Sequence, residues 1–111
     1  MKKFKKSDIN SKIFNKGNKV LFFQADGICP CVPARSDLED IEKSFQDEIE
    51  FYEYSAKNVR QINEDEIIKH FEALPFPTTL FIKDGNIIYR LVGDNSKSTY
   101  RNYATKLLEE K

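Results

Sequence analysis

"KVLFFQADGICPCVPARSDLEDI", Lys19 to Ile41, sets a continuous apolar run against a charged, periodic one, with both cysteines of the chain in between. Lys19–Ala25 has the length and composition of a strand covered on both faces. From Asp37 to Phe45, Leu38, Ile41 and Phe45 recur at helical spacing with charges between them. Cys29 and Cys31 therefore fall at the C-terminal end of a buried strand, separated by Pro30 alone. Two thiols so placed suggest a redox or metal-binding device, yet the usual dithiol spacing, Cys-x-x-Cys, is one residue longer.

Moving outward, "SDINSKIF" predicts a short helix capped by Ser7, with Ile9, Ile13 and Phe14 on one face and "NKGN" ending it. "EIEFYEYSA" (Glu48 to Ala56) alternates and is rich in aromatics, which predicts a strand. "NEDEIIKHFEAL" predicts a helix capped by Asn63, with Ile67, Ile68, Phe71 and Leu74 apolar. "PTTLFIKDGNIIYRLVG" predicts a hairpin turning at Asp84-Gly85. A closing helix from about Ser98 directs Tyr100, Tyr103, Ala104, Leu107 and Leu108 towards a core. A helical crossover between the first two main strands makes them parallel, and the hairpin adds an antiparallel pair. The expectation is an α/β chain: a small mixed sheet with helices on both faces, in a single domain spanning residues 1–111.

Eighteen basic residues balance eighteen acidic ones, so nothing in the charge calls for nucleic acid. The cluster "MKKFKK" is expected to be a solvated end, with the compact unit starting near Ser7. No run is long and apolar enough to span a bilayer, and "SDINSKIFNKGNK" lacks the apolar core of a secretory signal. If Met1 is the natural start, a cytoplasmic, monomeric protein is expected, with its thiols reduced at rest. A bridge closing a one-residue loop would add little stability, which argues for chemistry over stapling. His70 with two cysteines makes an incomplete zinc set, so no metal or cofactor is expected and a metal-binding Cys-x-Cys is the minor alternative.

With these elements in order, the chain resembles the thioredoxin family over nearly its whole length. "VLFFQADGICPC" followed by "LEDI" is similar, without a gap, to the family's apolar strand, alanine, Trp-Cys-Gly-Pro-Cys motif and helix. Ala25, Pro30 and Cys31 take the alanine, motif-proline and second-cysteine positions. "FPTTLFIKDGN" resembles the Ile-Pro-Thr segment, strand and turn, and Val92-Gly93 the Val-Gly before the last helix. The resemblance implies a thioredoxin-like fold and a thiol-disulfide oxidoreductase acting on protein or small-thiol disulfides. The implied electron donor is a thioredoxin-reductase-type protein or a small thiol. It also implies a cis bond before Pro77, with the backbone of Phe76 offered to an extended substrate by strand addition. Phe76 itself reads equally as a core residue.

The departures are specific. Ile28 stands where the family has its attacking cysteine, and Cys29 replaces the next residue, a glycine. Gly27 replaces the tryptophan, Phe22 the buried aspartate, and Ser36 the helix-kinking proline. These losses together are what a redox-inactive, protein-binding module on the same fold would show, and that is the rival reading. For the active reading, Cys29 is assigned as the exposed attacking thiol, Cys31 as the resolving one, and Ile28, Phe76 and Pro77 as substrate contacts. Residues two apart have Cα atoms about 5.5 to 7 Å apart, at the long end of the disulfide window. The bridge is therefore expected to be strained and oxidising. "SDLE" (Ser36 to Glu39) has the form of a capping box, which would start the helix only after both cysteines. Asp26, Arg35 and Asp37 are expected to be solvated loop charges.

Overall fold

The computed structural model describes residues 1–25, 32–57 and 64–110. In chain order the elements are β1 (Lys2–Lys3), α1 (Lys6–Asn10), a 3-10 turn (Ile13–Asn15), β2 (Asn18–Ala25), α2 (Val32–Phe45), β3 (Glu50–Ala56), α3 (Glu66–Phe71), β4 (Thr78–Lys83), β5 (Asn86–Val92) and α4 (Lys97–Glu109). The strands form one mixed sheet in the order β1-β3-β2-β4-β5. β3 lies parallel to both β1 and β2, and β4 runs antiparallel to β2 and β5.

The apolar run of β2 makes it the central strand, because only a strand covered on both faces can hide consecutive large side chains. Val20, Leu21, Phe22 and Phe23 are all fully buried. Val20 and Phe22 pack with Phe51, Phe81, α2 (Ala34, Leu38, Ile41) and α4 (Tyr100, Ala104, Leu107) on one face. Leu21 and Phe23 pack with Leu80, Ile82, Phe14 and α3 (Ile67, Ile68, Phe71) on the other.

The amino-terminal cluster is not a solvated end. Lys2 and Lys3 pair with Tyr52 and Glu53 as a short edge strand, and the compact unit begins there rather than at Ser7. The anchor is Phe4, which is 5% exposed and meets Phe14, Phe23 and Phe71 edge-on at ring-centroid distances of 5.1, 5.8 and 6.1 Å. Charge patterning pointed to solvent because the lysines do face outward. Outward lysines on a short edge strand also discourage pairing with another chain.

Three predicted caps move. The N-cap of α1 is Lys5 rather than Ser7, and the Lys5 amide donates to Asp8 Oδ2 at 3.0 Å. Asn63 lies outside the described residues, and the cap of α3 is Asp65, whose Oδ1 accepts from the amides of Ile67 and Ile68 at 2.9 and 3.1 Å. Ser36 caps nothing, because α2 already begins at Val32 and Ser36 lies inside it. Glu39 pairs instead with Arg35 one turn back, as i,i+4 neighbours do.

The hairpin turn sits at Asp84-Gly85, with φ of 49° and 87°, as a tight turn between twisted strands requires. Asp84 locks the tip to the loop before β2: its Oδ1 accepts from the Gly17 amide at 2.8 Å, and its own amide donates to the Gly17 carbonyl at 3.0 Å. A Cβ on Gly85 would lie 3.3 Å from Asn15 Cα. Gly85→Ala should therefore cost about 1–2 kcal/mol, from left-handed strain and crowding together. A lowered urea midpoint with an unchanged slope would show it; an unchanged midpoint would mean that the tip relaxes freely.

Candidate functional site

The described part of β2 ends at Ala25 and the helix resumes at Val32. Ile28, Cys29 and Cys31 fall between them and lie outside the described residues, as does Asp26. What the fold supplies is the surroundings of that segment. The Phe23–Thr78 pair closes the β2–β4 ladder, so Pro77 stands at the end of β2 from which the cysteine segment leaves. The Phe76–Pro77 peptide bond is cis, and so is Leu74–Pro75, which the sequence did not signal. The Pro77 carbonyl accepts from the Gly93 amide at 2.8 Å, tying the end of β5 to the same corner. Gly93 has φ of 89°, a conformation that suits glycine. Phe76 is half-buried and touches both hydrophobic clusters. The cis-proline thus stands at the end of β2 from which the chain departs towards Cys29 and Cys31, and α2 begins where that segment ends in sequence.

Beneath the start of α2 lies a group that sequence reasoning missed. Glu53 is 4% exposed on the α2 side of β3. Arg35, in the first turns of α2, reaches it with Nη2 3.1 Å from Oε1 and 2.9 Å from Oε2. Only the Oε1 contact has hydrogen-bond geometry, so Oε2 is buried without a donor. Arg35 is thus no solvated loop charge. Its hydrogen bond to Glu53, followed by attraction to Glu53 and Glu39, holds its pKa above the ordinary arginine value despite the opposing cost of burial. Asp37 lies within α2, 3.9 Å from the Lys97 ammonium.

The position of Glu53 in the sheet matters. Phe22, which stands where the thioredoxin resemblance places a buried aspartate, is paired in register with Glu53 on β3 and Thr79 on β4. All three are buried. A polar group has therefore not left this level of the sheet; it sits one strand to either side of an aromatic ring. The signal was available in "EFYEYSA", where Glu53 shares the parity of Phe51 while the tyrosines share the other. An acid on the parity of a core phenylalanine needs a cation, and Arg35 supplies it.

The tyrosines of β3 are packing residues with bound hydroxyls. Tyr54 donates to Asp65 Oδ2 at 2.6 Å and Tyr52 to Glu50 Oε2 at 3.0 Å. Burial first, and then the bond to Glu50, pushes the Tyr52 pKa up to about 12; burial and Asp65 raise Tyr54 likewise. A phenol whose folded pKa is raised stabilises the fold fully below its unfolded pKa of about 10 and loses that contribution as pH rises towards the folded value. Stability should therefore fall between about pH 10 and about pH 12, and Tyr52→Phe should flatten the decline. Urea midpoints against pH test this; parallel curves for the two chains would remove Tyr52 as a cause. His70 lies exposed on α3 with its ring edge-on to Phe71, and no metal-holding cluster occurs among the described residues.

No protein-family model and no curated protein sequence matches the chain. Among solved structures, one chain superposes with a TM-score of 0.76 at 19% identity, covering 96% of this chain and 94% of that one. It comes from work on the structural basis of the thiol resolving mechanism in yeast mitochondrial 1-Cys peroxiredoxin via glutathione/thioredoxin systems. The fold is thioredoxin-like. At that identity the likeness speaks to architecture: the thioredoxin-like sheet order, helices on both faces and a cis-proline at the sheet end. Chemistry has to be argued from this chain's own residues.

Proposed function

We propose that the chain is a thiol-disulfide oxidoreductase whose working pair is Cys29 and Cys31, exchanging disulfides with protein or small-thiol substrates. The observation that carries this reading is the start of α2 at Val32, directly after Cys31. The capping box that would have begun the helix later is not used. A helix of 14 residues presents unpaired N–H groups and a positive dipole end to what precedes it, which favours a thiolate over a thiol.

In the reductive direction the Cys29 thiolate attacks one sulfur of a substrate disulfide, and the other substrate sulfur leaves as a thiolate and takes a proton. The Cys31 thiolate then attacks Cys29 Sγ in the mixed disulfide and releases the second substrate thiol. Two electrons pass to the substrate and the Cys29–Cys31 disulfide remains. A small thiol or a thioredoxin-reductase-type donor returns the pair to its reduced form. Phe76 and Pro77 border the segment where an extended substrate would pair.

The rival reading, a redox-inactive binding module, draws on the fully buried Phe22 at the level where the resemblance places an acid. Equilibrating the protein with a graded glutathione series and counting free thiols separates the two. A reversible two-thiol transition, absent in Cys29→Ser, supports exchange. A pair that stays in one state across the series leaves the binding module.

A further inference from the structure

Between the 3-10 turn, α3 and the β4–β5 hairpin the structure has a pocket of about 310 Å3. That volume stands at the lower end of the range of about 300–1,000 Å3 typical of small-ligand sites. Its floor belongs to the core, since Phe14, Phe71 and Ile82 are all buried. Ile9 and Ile87 add to the lining, and Ile87 is a large apolar side chain left 43% exposed. The polar side chains around it are Lys12, Asn15 and His70, all exposed. No acid lines the pocket. Lys12 and His70 have no acid partner among the described residues. Acids on the flanking elements are engaged elsewhere: Asp8 with the Lys5 amide, Glu66 with Lys6, and Asp84 with the Gly17 amide.

The pocket stands apart from the thiols. Asn18–Lys83 pairs the β2–β4 ladder at its end, and Phe23–Thr78 closes the other end, from which the cysteine segment leaves.

This lining selects the ligand by exclusion. A sulfate or phosphate would meet the Lys12 ammonium but leave the apolar side chains facing water. A cation would meet only charge of its own sign. A hydrocarbon would cover the apolar lining but take water from Lys12 and His70 without replacing its hydrogen bonds. An extended peptide would need free backbone groups to pair with, and those around the rim are spent. The Lys12 and Asn15 amides donate to the carbonyls of Ile9 and Lys12 at 3.0 and 3.1 Å, and the Asp84 amide donates to the Gly17 carbonyl at 3.0 Å. A carboxylate on an apolar body answers both halves of the lining.

We infer that the pocket binds a small organic acid, one carboxylate on an apolar body about the size of a single aromatic ring. The carboxylate accepts from the Lys12 ammonium and from an imidazole N–H of His70, which the neutral ring offers as well as the charged one. The apolar body lies over Phe14 and Phe71 and covers Ile87. This site goes beyond disulfide exchange and does not rest on it.

The test titrates three probes into the full chain by NMR: 3-phenylpropionate, 3-phenylpropan-1-ol and acetate. The first should give saturable shifts at the amides of Lys12, Asn15, Gly85 and Ile87. The alcohol, which keeps the body and loses the charge, should bind about tenfold more weakly, and acetate more weakly still. Lys12→Gly keeps unfolding out of the comparison. Lys12 has φ of 61°, which glycine adopts freely, so the urea midpoint should hold or rise while affinity for 3-phenylpropionate falls about fivefold. The absence of saturable shifts, or shifts confined to Thr78 and Gly93, overturns the inference. So does equal affinity for the alcohol, which would make the pocket a plain apolar dent, or for acetate, which would make it a general anion patch. Unchanged affinity in Lys12→Gly also overturns it.

Discussion

A Cys29→Ser chain should reduce a protein disulfide no faster than the uncatalysed background, while Cys31→Ser should stall as a mixed disulfide that survives denaturing, non-reducing electrophoresis. The physical reason is the division of labour in thiol exchange. Without the attacking sulfur no covalent intermediate forms; without the resolving sulfur the intermediate has no intramolecular exit and waits for an external thiol. The assignment follows from register: Cys31 directly precedes α2 in the chain and takes the resolving position by the thioredoxin resemblance, and Cys29 stands two residues before it. A mixed disulfide that accumulates only in Cys29→Ser would exchange the two roles. Equal loss in both variants without any trapped species would favour the binding-module reading.

The second large effect concerns stability. Phe22→Asp restores the residue type that the thioredoxin resemblance places there, and it should nonetheless unfold much of the protein. Phe22 is fully exposed to the core and not at all to solvent, against α2 and α4. Truncating such a ring costs about 3–5 kcal/mol. The introduced carboxylate would also be buried and would stand beside Glu53, its register partner on β3, whose oxygens are already served by Arg35 alone. That adds several kcal/mol against a total stability of about 5–15 kcal/mol for a domain.

The pH dependence has a definite sign. Burial and the neighbouring anion raise the pKa of the introduced group above its unfolded value near about 4, so its protonated form is the one the fold tolerates. The deficit relative to wild type should therefore be smallest near about pH 4 and grow as pH rises. Glu53→Gln in the same chain should recover part of the loss at neutral pH, because Arg35 is then free to pair across the sheet. Urea unfolding of the three chains at two pH values measures all of this. An Asp variant as stable as wild type would mean that water reaches this level of the sheet.

The strand-helix alternation, the parallel crossover and the hairpin were legible in the sequence because each rests on a local period or a turn residue. Lys19–Ala25 had to be covered on both faces because consecutive apolar residues need it, and Asp84-Gly85 had to turn because its backbone angles favour those residues. Caps were legible only as chemistry. Ser36 with Glu39, Ser7 and Asn63 all have suitable side chains, but where a helix begins depends on what its first turn packs against. Ala34 is fully buried in the α2 face of the core, so the helix is held well before Ser36 and the capping box is left inside it.

The sequence by itself determined the chain order of the four main strands, the burial of β2 on both faces and the placement of two thiols after it in the chain, all of which follow from contiguous residues. Tertiary structure alone decided what surrounds those thiols. It built "MKKF" into the sheet because Phe4 finds an aromatic nest assembled from β2, β3, α3 and the 3-10 turn. It set Glu53 under Arg35, 18 residues apart in the chain, because a buried acid must find its cation wherever the packing brings one. It gathered Lys12 and His70 around one pocket, since packing α3 beside the 3-10 turn joins residues that no local pattern connects.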